Sequence, residues 1–404
     1  MEEWNIHKLG DICDFQGGSQ PPKAQFIPEP KDGYIRLLQI RDFKRDDKAV
    51  YIPEAKKNRI CKNDDVMIGR YGASVGQILR GKSGAYNVAL IKTIPNPDVI
   101  DKDFLYLYLQ SEGFQKALMS VAERSAQAGF SKADIAPFEI GIPLLEEQKR
   151  IVAILDQAFA DIELARAKTE QNLLNARELF ESYLQQVFSQ RGEGWVETTL
   201  GHLCEKVEYG TSSKSQPEGS TPVLRMGNIQ GGAFNWDKLV YTDNDDDINK
   251  LLLNDNDVLF NRTNSPELVG KTAIYRNERP AIFAGYLIRI HRKKDLLDAD
   301  FLNYYLNSKK ARNYGYKVMS HSTNQANING TKLKEYPINV PELSDQKALA
   351  ENFRHLENKV KKIESIYEKK LSALDELKKS ILQKAFSGEL TKTPNADMSK
   401  GSTP

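Results

Sequence analysis

Two long stretches of the chain share one helical rhythm of apolar positions. In the first, apolar or near-apolar residues fall at Ile151, Leu155, Ala158, Ile162, Ala165, Leu173, Ala176, Phe180, Tyr183 and Val187. Steps of mostly three and four put them on one stripe of a helix. Shifted by 198 positions, the stripe recurs at Leu349, Phe353, Leu356, Val360, Ile363, Leu371, Leu374, Ile381 and Ala385, breaking where Phe180 meets Lys378. The openings match too: Ile142-Pro-Leu-Leu-Glu-Glu-Gln148 returns as Val340-Pro-Glu-Leu-Ser-Asp-Gln346. Two long helices related by duplication are expected over 144–191 and 342–390.

The duplication extends into the rest of the chain. Trp4 to Cys13 aligns with Trp195 to Cys204, and Ile35-Arg36 with Leu224-Arg225. Lys62 to Arg70 aligns with Leu253 to Arg262 after one insertion, and Asp101 to Leu109 with Asp298 to Leu306. The offset drifts between these blocks, so two related modules, 1–143 and 192–341, carry a common framework and different loops. Each module reads as mixed. Short β-like runs (Tyr34–Ile40, Asp65–Ile68, Ala89–Ile94; Val223–Met226, Asp257–Phe260, Tyr286–Ile290) alternate with Gly, Asn and Pro clusters. One helix is expected in each, Asp103–Leu118 and Asp300–Tyr314, capped by Asp101 or Asp103 and by Asp298 or Asp300. The polar tail 391–404 is expected to fray.

Connectivity constrains the arrangement. If the second module enters and leaves near one point, the second helix starts where the first ends and runs back beside it. The second helix then ends where the first module begins, at Trp4. The expected fold class is α+β: two duplicated mixed modules joined by two long antiparallel helices in a circular, approximately two-fold order.

Composition narrows the class. Hydrophobic residues make up 40% of the 404 residues and charged residues 28%, as in ordinary globular protein. No apolar run approaches a membrane span, and Met1-Glu-Glu-Trp lacks a signal-peptide pattern, so a cytoplasmic setting is expected. Cys13, Cys61 and Cys204 show no CxxC spacing, and the five histidines no metal pattern. The net charge of +2 is spread nearly evenly, which argues against coating nucleic acid by bulk charge and leaves room for local basic surfaces.

Catalytic patterns are lacking. Gly270-Lys271-Thr272 looks like part of a phosphate-binding loop, yet the glycine needed five positions earlier is Ser265. Asn96-Pro97-Asp98 is not the Asn/Asp-Pro-Pro-aromatic motif of an amine methyltransferase. The run Asp243–Asp247 lacks the Gly and distal Glu of a calcium loop. No serine or cysteine sits in a nucleophile motif.

With these blocks together, the chain resembles the specificity subunit of Type I restriction–modification enzymes over essentially its whole length. The resemblance rests on the twice-used Pro-x-x-x-(Glu/Asp)-Gln blocks at 143–148 and 341–346. It rests also on Asp65 to Arg70 and Asp257 to Arg262, and on the Gln127 and Gln325 loops. It implies two target recognition domains, each reading one half of a bipartite, asymmetric double-stranded DNA site. The helices would act as a ruler and as the docking surface for two methyltransferase subunits, with motor–nuclease subunits joining that core. No catalytic site or cofactor is implied in this chain; S-adenosylmethionine, ATP and magnesium belong to the partners. Thr263-Asn-Ser-Pro-Glu replaces the Tyr71-Gly-Ala-Ser stretch in the second module, a departure from the pattern. Two other classes stay open on the residues: a stand-alone methyltransferase or nuclease, and a coiled-coil scaffold with two protein-binding modules.

Sequence reading needs Arg for guanine and Asn or Gln for adenine, while Lys, Ser and Thr hold phosphates. The candidate DNA-binding residues of module one are Lys23, Arg36, Arg41, Arg70, Tyr71, Asn87, Gln127 and Lys132. Those of module two are Lys214, Arg225, Asn228, Arg262, Asn264, Tyr286, Asn324, Gln325 and Asn327. Arg36/Arg225 and Arg70/Arg262 occur in both modules and suit shared backbone contacts or internal pairs. Differences such as Tyr71 against Thr263 and Asn87 against Ala284 suit base choice. On the helices, Ile154, Phe159, Phe188 and Leu377 lie off or beside the stripe and are expected to face partner subunits, packing against the chain's own modules being the alternative for each.

Overall fold

The computed structural model describes residues 4–124, 129–190, 193–322 and 325–391. The chain forms two compact units, residues 1–169 with 369–404, and residues 170–368. Each unit holds one module, the start of one long helix and the end of the other. The helices run Leu145–Phe188 and Leu343–Phe386.

Both modules have the same plan. In the first, an antiparallel sheet has the order Cys13–Gly17, Leu90–Pro95, Met67–Gly69, Ile78–Leu79; the second repeats it as Cys204–Tyr209, Leu287–Arg292, Val258–Asn261, Thr272–Ile274. A second sheet in each contains one parallel pair, Tyr34–Leu38 with Gly84–Tyr86 and Thr221–Leu224 with Ile282–Phe283. An antiparallel ribbon closes the base, Asn5–Lys8 with Glu139–Ile142 and Val196–Thr199 with Pro337–Val340.

The repeated motifs are fold-holding parts. Gln148, fully buried, accepts from Asp101 N at 2.8 Å and donates to Val99 O and Pro143 O, both at 2.9 Å. Gln346 does the same with Asp298 N at 3.0 Å and with Leu296 O and Pro341 O at 2.9 Å. An amide offers one acceptor and two donors, so each glutamine clasps the start of its long helix to the loop ahead of the module's own helices. Asp65 and Asp257 each accept from the backbone three residues earlier and pair with Lys92 (3.3 Å) and Arg289 (3.0 Å).

Arg289 also holds Glu208 at 2.5 Å, and His291 approaches the same carboxylate at 2.9 Å. Burial works against the Glu208 charge, but Arg289 and His291 outweigh it and lower its pKa from 4.5 to about 2. A depressed carboxylate stabilises the fold above its unfolded pKa and loses that contribution as pH falls through the folded one. Module two is therefore expected to lose roughly 2–3 kcal/mol between pH 4.5 and 2. Glu208→Gln should flatten that part of an acid-unfolding curve; an unchanged slope would refute the assignment.

The single helix expected in each module is two. Lys102–Leu109 is followed by Glu112–Arg124, and Ala299–Asn307 by Lys309–Val318. Ser308 leaves the helical region (ψ 154°) and its hydroxyl accepts from Ala311 N, capping the next helix. Asp101 and Asp298 are the N-caps of the first helix in each pair. The acidic run at 243–247 leads into another: Asn244 caps Asp245–Leu251, placing three aspartates in a first turn that favours negative charge.

Within each unit the long helices pair antiparallel. In the first unit Arg166 meets Asp375 and Lys378 meets Glu163 at 2.9 Å; in the second Arg177 meets Glu364 at 2.8 Å. The helix ends are anchored by aromatic residues. Phe386 packs edge-on to Phe104 and Tyr108, and Trp4 onto Phe104. Phe188 packs likewise on Phe301 and Tyr305, and Trp195 on Phe301. Phe188 is 1% exposed. Its expected partner-facing role is thus corrected: it belongs to the core of the second unit, because the helix end lies against its own module.

Candidate nucleic-acid interface

In each unit, loops converge at one end of the antiparallel sheet around a duplicated arginine. The backbone there is nearly superimposable in its bonding. Gly18 N donates to Leu90 O and Ser19 N to Tyr86 O; Gly210 N donates to Leu287 O and Thr211 N to Phe283 O. Arg70 N donates to Ala89 O, and Arg262 N to Tyr286 O. A Cβ on Gly18 would collide with the Asn87 carbonyl, and one on Gly210 with that of Phe283, so only glycine lets these loops approach. The loop after the helices returns to pair with the residue following the arginine: Tyr71 with Gly129, and Thr263 with Asn327.

The two arginines are held differently. Arg70 Nε donates to Phe130 O at 2.7 Å while the guanidinium lies 5.0 Å from the Tyr71 ring centre. Arg262 Nη1 donates to Gly285 O at 3.2 Å, and its guanidinium lies 4.9 Å from the ring of Tyr209, at the end of a different strand. Tyr71, Tyr209 and Tyr286 are among the exposed large side chains. No sequence signal marks Tyr209; its only hint is its place directly before Gly210, where module one has Gly17 before Gly18.

Several other candidates gather at these rims. Asn87 and Asn264 use their side-chain oxygens in local turns, accepting from Ala89 N and Ser265 N. Asn327 donates to Thr263 Oγ1 at 2.6 Å. Lys132 pairs with Asp14, and Gln325 is exposed beside the Ser320–His321 strand. Lys23 and Lys214 are exposed in the loops after Gly17-Gly18 and Gly210-Thr211. Gln127 and Asn324 lie outside the described residues.

Four candidates belong to the second sheet of their module. Arg36 pairs with Asp46 at 2.6 Å, Arg41 donates to Lys48 O, and Arg225 donates to Lys238 O at 3.1 Å. Asn228 is 4% exposed; it accepts from Arg225 N and donates to Asn235 O and Asp237 O. All its bonding capacity closes a turn, so it is corrected to a fold-internal residue. On the long helices Ile154 and Leu377 are exposed, whereas Phe159 is half-buried beneath the Lys378 ammonium.

The rims carry donors and aromatic faces. Among the described residues no group of His, Cys, Asp and Glu is placed to hold a metal. Burial pushes the Cys13 and Cys204 thiols up to about 12 and that of Cys61 to about 11, the opposite of an activated nucleophile. Among the described residues no helix is long and apolar enough to cross a membrane.

Residues 1–174 and 192–371 match the model of the Type I restriction modification DNA specificity domain. The chain belongs to that family. Similar specificity subunits include those of Type I restriction enzyme MjaVIII from Methanocaldococcus jannaschii (25% identical; 96% of this chain, 93% of the relative). That of EcoKI from Escherichia coli is 24% identical, over 99% and 92%. Two solved structures share the fold at 18% identity. One, from work on assembly and conformational transition of a type I restriction–modification system, has a TM-score of 0.78 and covers 96% of this chain and 99% of its own. The other, the HsdS subunit from Thermoanaerobacter tengcongensis, has a TM-score of 0.62, covering 96% and 98%. As a specificity subunit the chain recognises DNA target sites and is a non-catalytic component of the complex.

Proposed function

We propose that residues 1–143 and 192–341 are target recognition domains, each reading one half of a bipartite, asymmetric DNA site, and that the long helices set the gap and carry the partners. The observation that carries this is the duplicated arginine-centred rim: the same backbone bonds frame it in both modules, and different side chains line it. Arg70, Tyr71, Asn87 and Lys132 with Lys23 serve one rim; Arg262, Asn264, Tyr286, Gln325 and Asn327 with Lys214 serve the other. Arg36, Arg41 and Arg225, beside the second sheets, suit phosphates better than base edges. Gln127 and Asn324 join this set on their residue type alone.

Two methyltransferase subunits dock on the helices, with Ile154 and Leu377 in the contact, and motor–nuclease subunits complete the assembly. S-adenosylmethionine, ATP and magnesium act on those partners, in the cytoplasm, and the target adenine is flipped from the duplex there. Mapping modified adenines in DNA exposed to the chain with its methyltransferase tests the proposal. One gapped, non-palindromic motif is expected; an ungapped or palindromic motif would overturn it. Both Nη groups of Arg70 are left without an acceptor among the described residues, which suits a base edge better than the shared backbone contact its duplication suggests. Within that motif, Arg70→Ala should therefore weaken discrimination at one half-site about tenfold or more and leave the other intact.

A further inference from the structure

We propose that Tyr209 is the positioning residue of the module-two arginine, doing from another strand what Tyr71 does for Arg70. The inference rests on the DNA-reading role proposed above and adds a residue to it.

A free arginine side chain samples many rotamers, and a guanidinium that must meet a base edge benefits from being held beforehand. Arg70 is held by one backbone carbonyl and one aromatic face, and its Nη1 and Nη2 have no acceptor among the described residues. Module two has Thr263 where Tyr71 stands, so alignment predicts an unsupported arginine. Tyr209 fills the gap from the end of the strand Cys204–Tyr209. Its ring carries Arg262, and its hydroxyl accepts from Gly330 N at 2.8 Å. That second bond ties the ring to the start of the helix Gly330–Lys334, directly after the loop that pairs with Thr263. Tyr209 therefore fixes the guanidinium and that loop together. Arg262 Nη1 is taken by Gly285 O, which leaves Nη2 and the buried Nε without an acceptor among the described residues. Arg70 thus leaves both terminal nitrogens open, whereas Arg262 leaves one terminal nitrogen beside its buried Nε, so the two arginines suit different patterns of acceptors.

The test uses the full chain bound to its methyltransferase and competing duplexes in which either half-site is scrambled. The half-site of residues 192–341 is assigned by exchanging that segment for a relative's. Tyr209→Ala is expected to reduce discrimination at that half-site about tenfold, the scale of a lost cation–aromatic contact, with the other half-site unchanged. Tyr209→Phe, which keeps the ring, should restore it to within about threefold. Arg262→Lys, which leaves Tyr209 in place, should reproduce the selective loss if Tyr209→Ala does not fold. Equal losses at both half-sites, wild-type discrimination in Tyr209→Ala, or no rescue by phenylalanine would each overturn the inference. A wild-type complex that discriminates at neither half-site would instead overturn the DNA-reading role itself.

Discussion

Replacing Gln346 by leucine is expected to destabilise module two by about 3–5 kcal/mol, because one buried N–H and two carbonyls lose their partners together. The loss should be local. Hydrogen exchange followed by mass spectrometry should show peptides within 195–340 losing protection, while peptides within 4–124 keep theirs. Gln148→Leu should reverse the pattern. Each clasp joins a long helix to its own module, so a uniform loss in either variant would contradict the assignment.

The second large effect concerns the gap between half-sites. The ion pairs give the register of the two helices: Arg166 opposes Asp375, and Glu163 opposes Lys378. Four residues inserted after Arg166, with four more before Asp375, lengthen both helices by about one turn, roughly 6 Å, while keeping the flanking pairs. The methylated motif should then open by about one to two base pairs, with both half-sites unchanged. Efficient methylation of the original spacing by the lengthened chain, with none at the longer one, would refute the ruler.

The long helices were legible in the sequence because a sustained period and a repeated opening are signals that local chemistry alone produces. The framework blocks were legible for the same reason, and their bonds explain them: Asp65 with Lys92 and Asp257 with Arg289 recur because they close the same turn. Other features depend on distant packing. Ser308 fits a helical pattern as well as it fits a cap, so the helix break was hidden. Phe188 looked off-stripe for a two-helix pair, and the module against which it packs was invisible from the period. Asn228 has the chemistry of an adenine reader, yet its amide is spent on neighbouring backbone. The Tyr209–Arg262 stack joins two strands and has no counterpart in the aligned positions, so the duplication itself pointed away from it.

The way each unit borrows from both long helices has a consequence for synthesis. The second unit is one contiguous run, 170–368, and can close as soon as its last residues leave the ribosome. The first unit needs residues 369 onward, made only after the whole of the second unit, to bring Phe386 onto Phe104 and Tyr108. The module translated first is thus the one completed last. Its apolar base stays uncovered while the second module is made, which gives termination just before residue 369 a specific hazard: a finished second module attached to an open first one.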